Sequence, residues 1–321
     1  MDTTLRDGEQ TSGVSFVPPE KLQIAKKLLR DVRVDRIEVA SARVSAGERQ
    51  AVIDICEWAG RHGWTERVEV LGFVDNHVSL DWIAACGGRV INLLTKGSLR
   101  HCRLQLKKSP EEHIADILRE VAYADKLGIS VNVYLEDWSN GMKDSPEYVF
   151  QLVDALKETS IRRFMLPDTL GVLNPLAAVD YLRKMRKRYP ELHFDFHAHN
   201  DYDLAIANVS AAVLCGCQGI HTAVNGLGER AGNAPLPSVQ AILKDHFNIE
   251  TEIDESRLFE ASRLVESYSG IAVPANKPIV GENVFTQVAG VHADGDNKSG
   301  LYCNALLPER FGRQREYALG K

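Results

Sequence analysis

No apolar run in the sequence reaches the roughly 18 residues a membrane-spanning helix needs. The first residues carry no charged-then-apolar leader pattern. No two of the six cysteines, Cys56, Cys86, Cys102, Cys215, Cys217 and Cys303, form a CxxC pair, so the redox and zinc motifs built on that spacing are missing. They read instead as small buried thiols of a reducing, cytoplasmic protein. Basic excess is lacking too: 38 Lys and Arg against 44 Asp and Glu leave a net charge of −6, which gives no footprint for nucleic acid. What remains is the composition of a soluble globular chain, 44% hydrophobic and 26% charged over 321 residues. The chain enters a strand-like segment at "MDTTLRDGEQ" without preamble and stops at "REYALGK" without a cap, as a piece of a longer protein would.

Short β-rich runs alternate with longer amphipathic ones. "DTTLRD", "DRIEVA", "RVEVLGFV", "RVINLLT", "SVNVYLE", "RRFMLPD", "HFDFHAH" and "GIHTAVN" are each followed by a helical pattern. In the first helical stretch Leu22, Ile24, Ala25, Leu28 and Leu29 make one stripe. Ser109-Pro110-Glu111-Glu112, Ser145-Pro146-Glu147 and Asn174-Pro175 are helix starts with a side-chain acceptor before a proline. Gly60, Gly63 and Gly128 read as stops. Eight βα units with short loops imply an α/β fold closed as a (β/α)8 barrel over residues 1–253. An open doubly wound sheet would show fewer strands and a glycine-rich phosphate turn after the first, which is absent. From Asp254 the alternation stops: "ESRLFEASRLVESYSG" is one helix, and the irregular remainder makes 254–321 a small C-terminal subdomain.

Chemistry in such barrels sits at the C-terminal ends of the strands. Here those ends carry Arg6-Asp7, Glu38, Gly72-Phe73, Asn92 with Thr95, Glu136-Asp137, Asp168-Thr169, His197 to Asp201, and Asn225. In "FDFHAHND" the histidines alternate with apolar residues, so His197 and His199 share one face about 7 Å apart. Alone, that pair is either a polar stripe or half of a metal site. In a closed barrel only one strand separates it from Asp7. Two imidazoles and a carboxylate leave positions open for substrate and water. The mixed set suits Zn2+, Mn2+, Co2+ or Mg2+. Phe194 and Phe196 then point outward under the helices, and Asp195 shares the histidines' face at greater depth. The loop "VNGLGERAGN" matches no nucleotide-binding spacing; it is either a flexible barrel loop or one that packs against the ion and offers an oxygen from Asn233 or Asn225.

Taken together, "DTTLRDGEQ", "HAHND", "NGLGERAGN" and "GVHADG" resemble the DRE-type metal-dependent TIM-barrel enzymes, more narrowly the 2-isopropylmalate, homocitrate and citramalate synthases. The resemblance spans essentially the whole chain. It implies that acetyl-CoA is joined through its methyl carbon to the keto carbon of a 2-oxo acid and the thioester is then hydrolysed. It also implies ligand roles for Asp7, His197 and His199, with Asn233 as a near or fourth ligand. Arg6 corresponds to the residue that steadies the keto oxygen, Glu136 to an acid that helps deprotonate the acetyl methyl, and Thr169 to a donor to the substrate carboxylate. His292 and Tyr302 correspond to subdomain residues that reach the barrel mouth of a partner, which implies a homodimer. Many members continue into a regulatory domain past the point where this sequence stops.

The related hydroxymethylglutaryl-CoA lyases carry a cysteine in the loop after the barrel, and "VNGLGERAGN" has none. Homocitrate synthases hold a second carboxylate with basic or polar residues. The corresponding positions here are Leu71, Leu94 and Tyr134, bulky and apolar, and a buried unpaired carboxylate among them would be costly. Their bulk favours a methyl group, hence pyruvate and citramalate synthase. The alternative is 2-isopropylmalate synthase acting on 2-oxoisovalerate, because apolar pockets separate such substrates by only about 1–3 kcal/mol. A homologue that binds metal and oxo acid without turnover is the reading from another class.

Overall fold

Strand-forming runs rich in Val, Ile and Leu, buried on both faces, assemble into a parallel sheet. The computed structural model describes residues 1–318; Leu319, Gly320 and Lys321, the end of the "REYALGK" stretch, lie outside the described residues. Seven strands, β1 (Ile37–Ser41), β2 (Val68–Phe73), β3 (Val90–Lys96), β4 (Ser130–Glu136), β5 (Arg163–Asp168), β6 (Phe194–Ala198) and β7 (Gly219–Ile220), pair parallel in chain order. The eighth staff is the N-terminal segment. Asp2 bridges both Ile37 and Thr222, and its neighbours extend the ladder through Thr3 N–H to Thr222 O at 2.8 Å and Thr222 N–H to Met1 O at 2.9 Å. That closes the barrel.

The helices run α1 (Pro18–Lys26), α2 (Ala46–Arg61), α3 (Val78–Ala85), α4 (Leu99–Leu104), α5 (Pro110–Leu127), α6 (Trp138–Asp144), α7 (Pro146–Leu156), α8 (Pro175–Arg188), α9 (Ala205–Leu214) and α10 (Leu236–Phe247). Their apolar stripes and the outer faces of the strands form the main core, which includes Phe194 and Phe196. A smaller cluster, Met1, Leu71, Tyr134 and Met165 with Leu94 packed on it, is separate from that core. By strand alternation it lies inside the barrel. No described helix is long and apolar enough to cross a membrane.

Several local expectations need correction. "DTTLRD" is not a strand to its end: pairing stops at Thr3, and Thr4 to Asp7 form a turn into a short 3-10 segment, Gly8–Gln10. Asp2 fixes that turn by accepting the Thr4 N–H at 3.0 Å. Three helices were not foreseen: α4 and α6, which both follow strand ends at the mouth, and one at Gly290–Ser299 in the stretch read as irregular. Ser109 and Asn174 cap as expected, accepting from Glu112 N–H and Ala177 N–H. Ser145 does not cap; its hydroxyl accepts the Leu99 N–H at 3.3 Å instead. α2 runs through Gly60, and Gly63, at φ +72°, follows its end.

Beyond Asp254 the foreseen helix is α11 (Leu258–Ser269), which buries Leu258, Ala261 and Val265 against the barrel's own core. A two-strand pair, β8 (Thr286–Gln287) with β9 (Glu316–Tyr317), and α12 (Gly290–Ser299) complete the described chain.

Candidate active site at the barrel mouth

The turn that ends the first staff delivers Arg6 and Asp7 to the mouth, and the alternation of β6 delivers His197 and, one step beyond the strand, His199. The three metal-binding candidates converge: one ligand atom from each of Asp7, His197 and His199 lies within 4.8 Å of the others, and all three residues are buried. Asp7 Oδ2 is 3.1 Å from His197 Nε2 and 3.7 Å from His199 Nε2. The two Nε2 atoms are 3.3 Å apart. Two imidazole nitrogens that close need a proton or a cation between them.

Electrostatics sets the charge states a cation requires. Burial alone would raise the Asp7 carboxyl, but Arg6 and the two imidazoles outweigh it and hold Asp7 well below the usual carboxylate range. Burial, with His197 adding to it, pushes His199 down to about 4, so that ring is neutral near pH 7. Both Nδ1 atoms are buried and have no partner among the described residues. The Nε2 atoms, facing Asp7, are therefore the ones placed to bind. The donor set fits a divalent ion.

Asn233 reaches the cluster through its amide nitrogen, which donates to Asp7 Oδ2 at 2.9 Å and to Leu227 O at 2.9 Å. Its Oδ1 is buried and has no partner among the described residues. As placed, it braces Asp7, and a ligand role needs the amide turned over. Asn225 is not available. Its Oδ1 accepts from Ser262 Oγ at 2.5 Å and its Nδ2 donates to Ser262 O at 3.0 Å, which pins the loop to α11. The glycines between them serve the loop's path. At Gly232, φ +85°, a Cβ would collide with the Gly226 carbonyl, and at Gly228 it would collide with the Asn233 amide. The "VNGLGERAGN" stretch thus folds tightly around Asn233.

A cavity of about 220 Å3 opens onto the ion site. Leu71, Leu94, Tyr134, Glu136 and Thr169 line it together with Arg6. Arg6 donates through Nε to Glu38 Oε2 at 2.5 Å and through Nη2 to the Tyr134 hydroxyl at 3.2 Å. Burial disfavours its charge, but Glu38, Asp7 and Tyr134 outweigh that and keep it protonated. Thr169 Oγ1 accepts the Asp137 N–H at 2.8 Å, which leaves its proton free to be donated. Glu136 is paired with Lys96 across the β3–β4 ladder. Glu38 and Asn92 sit deeper than the strand-end reading put them: Asn92 Nδ2 donates to Glu38 Oε1 at 2.7 Å inside the barrel.

His292 and Tyr302 stack on each other at 4.2 Å between ring centroids. Both are exposed and neither lines the mouth cavity of its own chain.

Sequence reasoning passed over Lys96, Arg230 and His221. Lys96 follows Leu94 by two residues, so alternation alone aims it inward. Arg230 donates to Asp201 at 2.7 Å and to Thr169 O at 2.9 Å, tying the glycine loop to the β5 end; within its loop it carried no periodic signal. His221 stood in a strand-like run and accompanied no second ligand type.

The putative (R)-citramalate synthase of Methanopyrus kandleri is 37% identical over the whole of this chain, which spans 62% of its length. The probable 2-isopropylmalate synthase of Ignicoccus hospitalis is 35% identical over the whole chain, which spans 78% of its length. Among solved structures, the hydroxymethylglutaryl-CoA lyase of Bacillus subtilis superposes with a TM-score of 0.73, covering 85% of this chain and 94% of that one at 24% identity, which establishes the shared barrel fold. A family profile matches residues 1–265, and the chain belongs to the HMGL-like family.

Proposed function

We propose that this chain catalyses the condensation of acetyl-CoA with a 2-oxo acid, pyruvate before others, followed by thioester hydrolysis to give citramalate and free CoA. The observation that carries the reading is the convergence of Asp7, His197 and His199 beside Arg6, at the edge of a pocket walled by Leu71, Leu94 and Tyr134. The citramalate and isopropylmalate synthases among its relatives support the reaction class.

A divalent ion held by the three ligands, Mn2+, Zn2+, Mg2+ or Co2+, supplies Lewis acidity toward the keto oxygen. Arg6, fixed by Glu38 and Tyr134, presents its guanidinium where the keto oxygen gains negative charge as the carbon–carbon bond forms. Thr169 donates its hydroxyl proton to the substrate carboxylate. Glu136, steadied by Lys96, takes a proton from the acetyl methyl group. Water then adds to the thioester carbonyl and CoA leaves as the thiol. His292 and Tyr302 complete the proton transfers from a second copy of the chain, so the working form is a homodimer. The 1–253 barrel and the 254–321 subdomain divide the work in that scheme: the barrel binds and the subdomain reaches across.

Release of CoA thiol from acetyl-CoA, followed with several 2-oxo acids at matched concentration with and without Mn2+, tests this. Turnover is expected fastest with pyruvate. Faster turnover with 2-oxoisovalerate selects the isopropylmalate reading, which the Ignicoccus hospitalis relative keeps open. No turnover with any oxo acid selects a silent binder.

A further inference from the structure

Below the mouth, a row of buried polar groups crosses the barrel interior. Tyr134 Oη lies 3.1 Å from His221 Nδ1. His221 Nε2 lies 3.1 Å from Asp195 Oδ2. Asp195 is further held by Arg36 Nη2 at 2.6 Å and His193 Nε2 at 2.9 Å. At the upper end, the Tyr134 oxygen meets Arg6 Nη2 at 3.2 Å. Tyr134, His221 and Asp195 are each at most 3% exposed.

The direction of each bond follows from the groups present. Arg36 keeps Asp195 ionised, so Asp195 only accepts. His221 Nε2 therefore carries a hydrogen. The Tyr134 oxygen lies 3.1 Å from Nδ1 but 3.4 Å from Glu38 Oε2, so the hydrogen of the closer contact is the phenol's and Nδ1 is bare. Tyr134 has one proton and two acceptors in reach, His221 Nδ1 at 3.1 Å and Glu38 Oε2 at 3.4 Å. Glu38 Oε2 already takes Arg6 Nε. Were the phenol to donate to Glu38, its oxygen would face a bare nitrogen with no hydrogen between them, an unmatched buried contact. The phenol proton therefore points down to His221 and the oxygen lone pairs point up to Arg6.

We infer that His221, held in one tautomer by Asp195, is a positioning residue that turns the Tyr134 hydroxyl so that its oxygen locks Arg6 beside the ion site. The same rotation shows the substrate pocket an aromatic ring and no hydroxyl donor. The one polar side chain of the Leu71, Leu94 and Tyr134 wall thus behaves as an apolar one, and a distal carboxylate on the oxo acid finds no partner there. This deepens the proposed reaction and rests on it for the meaning of Arg6, but the hydrogen-bond chain is testable without turnover.

Protein labelled with 15N-histidine, free of substrate at neutral pH, is examined by long-range 1H–15N correlation, with the His221 signals assigned by their loss in His221→Gln. The expected ring has a protonated Nε2 and a bare Nδ1. A protonated Nδ1, alone or with Nε2, overturns the inference whatever the activity. Kinetics adds a second arm where the protein turns over. His221→Phe lowers kcat on the order of ten- to a hundredfold, the effect of orphaning a buried hydroxyl, with the KM for acetyl-CoA little moved. His221→Gln, whose amide can accept from Tyr134 and donate to Asp195, recovers most of the loss. Equal loss in both variants, or none in either, overturns it as well.

Discussion

Replacing His197 by alanine removes one of two imidazoles that face Asp7 across 3.1 and 3.7 Å. A lost metal ligand removes the Lewis acid while the barrel's apolar core stays as it was. His197→Ala is therefore expected to abolish thiol release while circular dichroism and the cooperativity of melting stay those of the parent; measurable turnover in a folded variant would remove the ion from the scheme. Specificity is set one layer away. Leu94→Ala enlarges the pocket by about three carbons, and the ratio of kcat/KM for 2-oxoisovalerate over pyruvate should rise by roughly tenfold or more, within the ~1–3 kcal/mol such pockets command. The stability of the metal-free protein also follows from named groups. Burial lowers His113 to about 4 and His221 to about 3, from 6.5. The unfolded chain then binds protons near pH 5 that the folded one refuses, so stability falls as pH drops from 6.5 toward 4. Asp2, raised to about 6 from 3.8, and Glu48 and Asp168, also raised by burial, act in the opposite sense, while His199, lowered to about 4, adds to the histidine side. Chemical denaturation in chelator at pH 7 and pH 4.5 should show the lower midpoint at pH 4.5. The shared face of His197 and His199 was legible in the sequence because strict alternation on one strand fixes which residues share a face. Lys96 and His221 lay on such strands too, but a lone cation or imidazole becomes informative only when the partner strand's register is known.

The glycine loop between β7 and α10 has a backbone shape that few other residues permit. Gly232 combines φ +85° with a Cβ position already occupied by the Gly226 carbonyl. Gly232→Ala must shift the loop that carries Asn233 and Arg230, costing about 1–3 kcal/mol of stability. Because Asn233 braces Asp7 at 2.9 Å, activity should fall more than stability does. The check is a thiol-release assay run well below the variant's melting temperature; full activity there would show that the loop does not position the ligand. The glycine content made this segment conspicuous in the sequence, but the division of labour between its two asparagines was hidden. Asn225 is turned away only because Ser262, on a helix 37 residues later, offers both a donor and an acceptor. The first barrel staff misled for a similar reason. "DTTLRD" has strand-like threonines, yet the side chain of Asp2 captures the Thr4 amide and starts the turn. α4 and α6 escaped notice because they are short, 6 and 7 residues, with too few turns to establish a period.

At the scale of the whole molecule, His292 and Tyr302 are the pair that the single chain leaves without a task. They stack on one another, remain exposed and lie outside the mouth cavity, whereas every other proposed site residue lines that cavity or touches an ion ligand. Family resemblance assigned them to a partner's barrel, and no periodicity in one sequence can reveal a contact between two copies. Subunit complementation separates the arrangements. Arg6→Ala disables a barrel and His292→Ala disables the reaching segment, so each variant alone should be inactive as a homodimer. After co-refolding in equal amounts, about half of the dimers are mixed, and each mixed dimer holds one barrel with Arg6 intact opposite a subunit with His292 intact; roughly a quarter of parental activity should return. If both residues serve the same chain, every subunit in the mixture lacks one of them and no activity returns. Light scattering on the parent protein fixes the premise, since a monomer leaves His292 and Tyr302 no second mouth to enter.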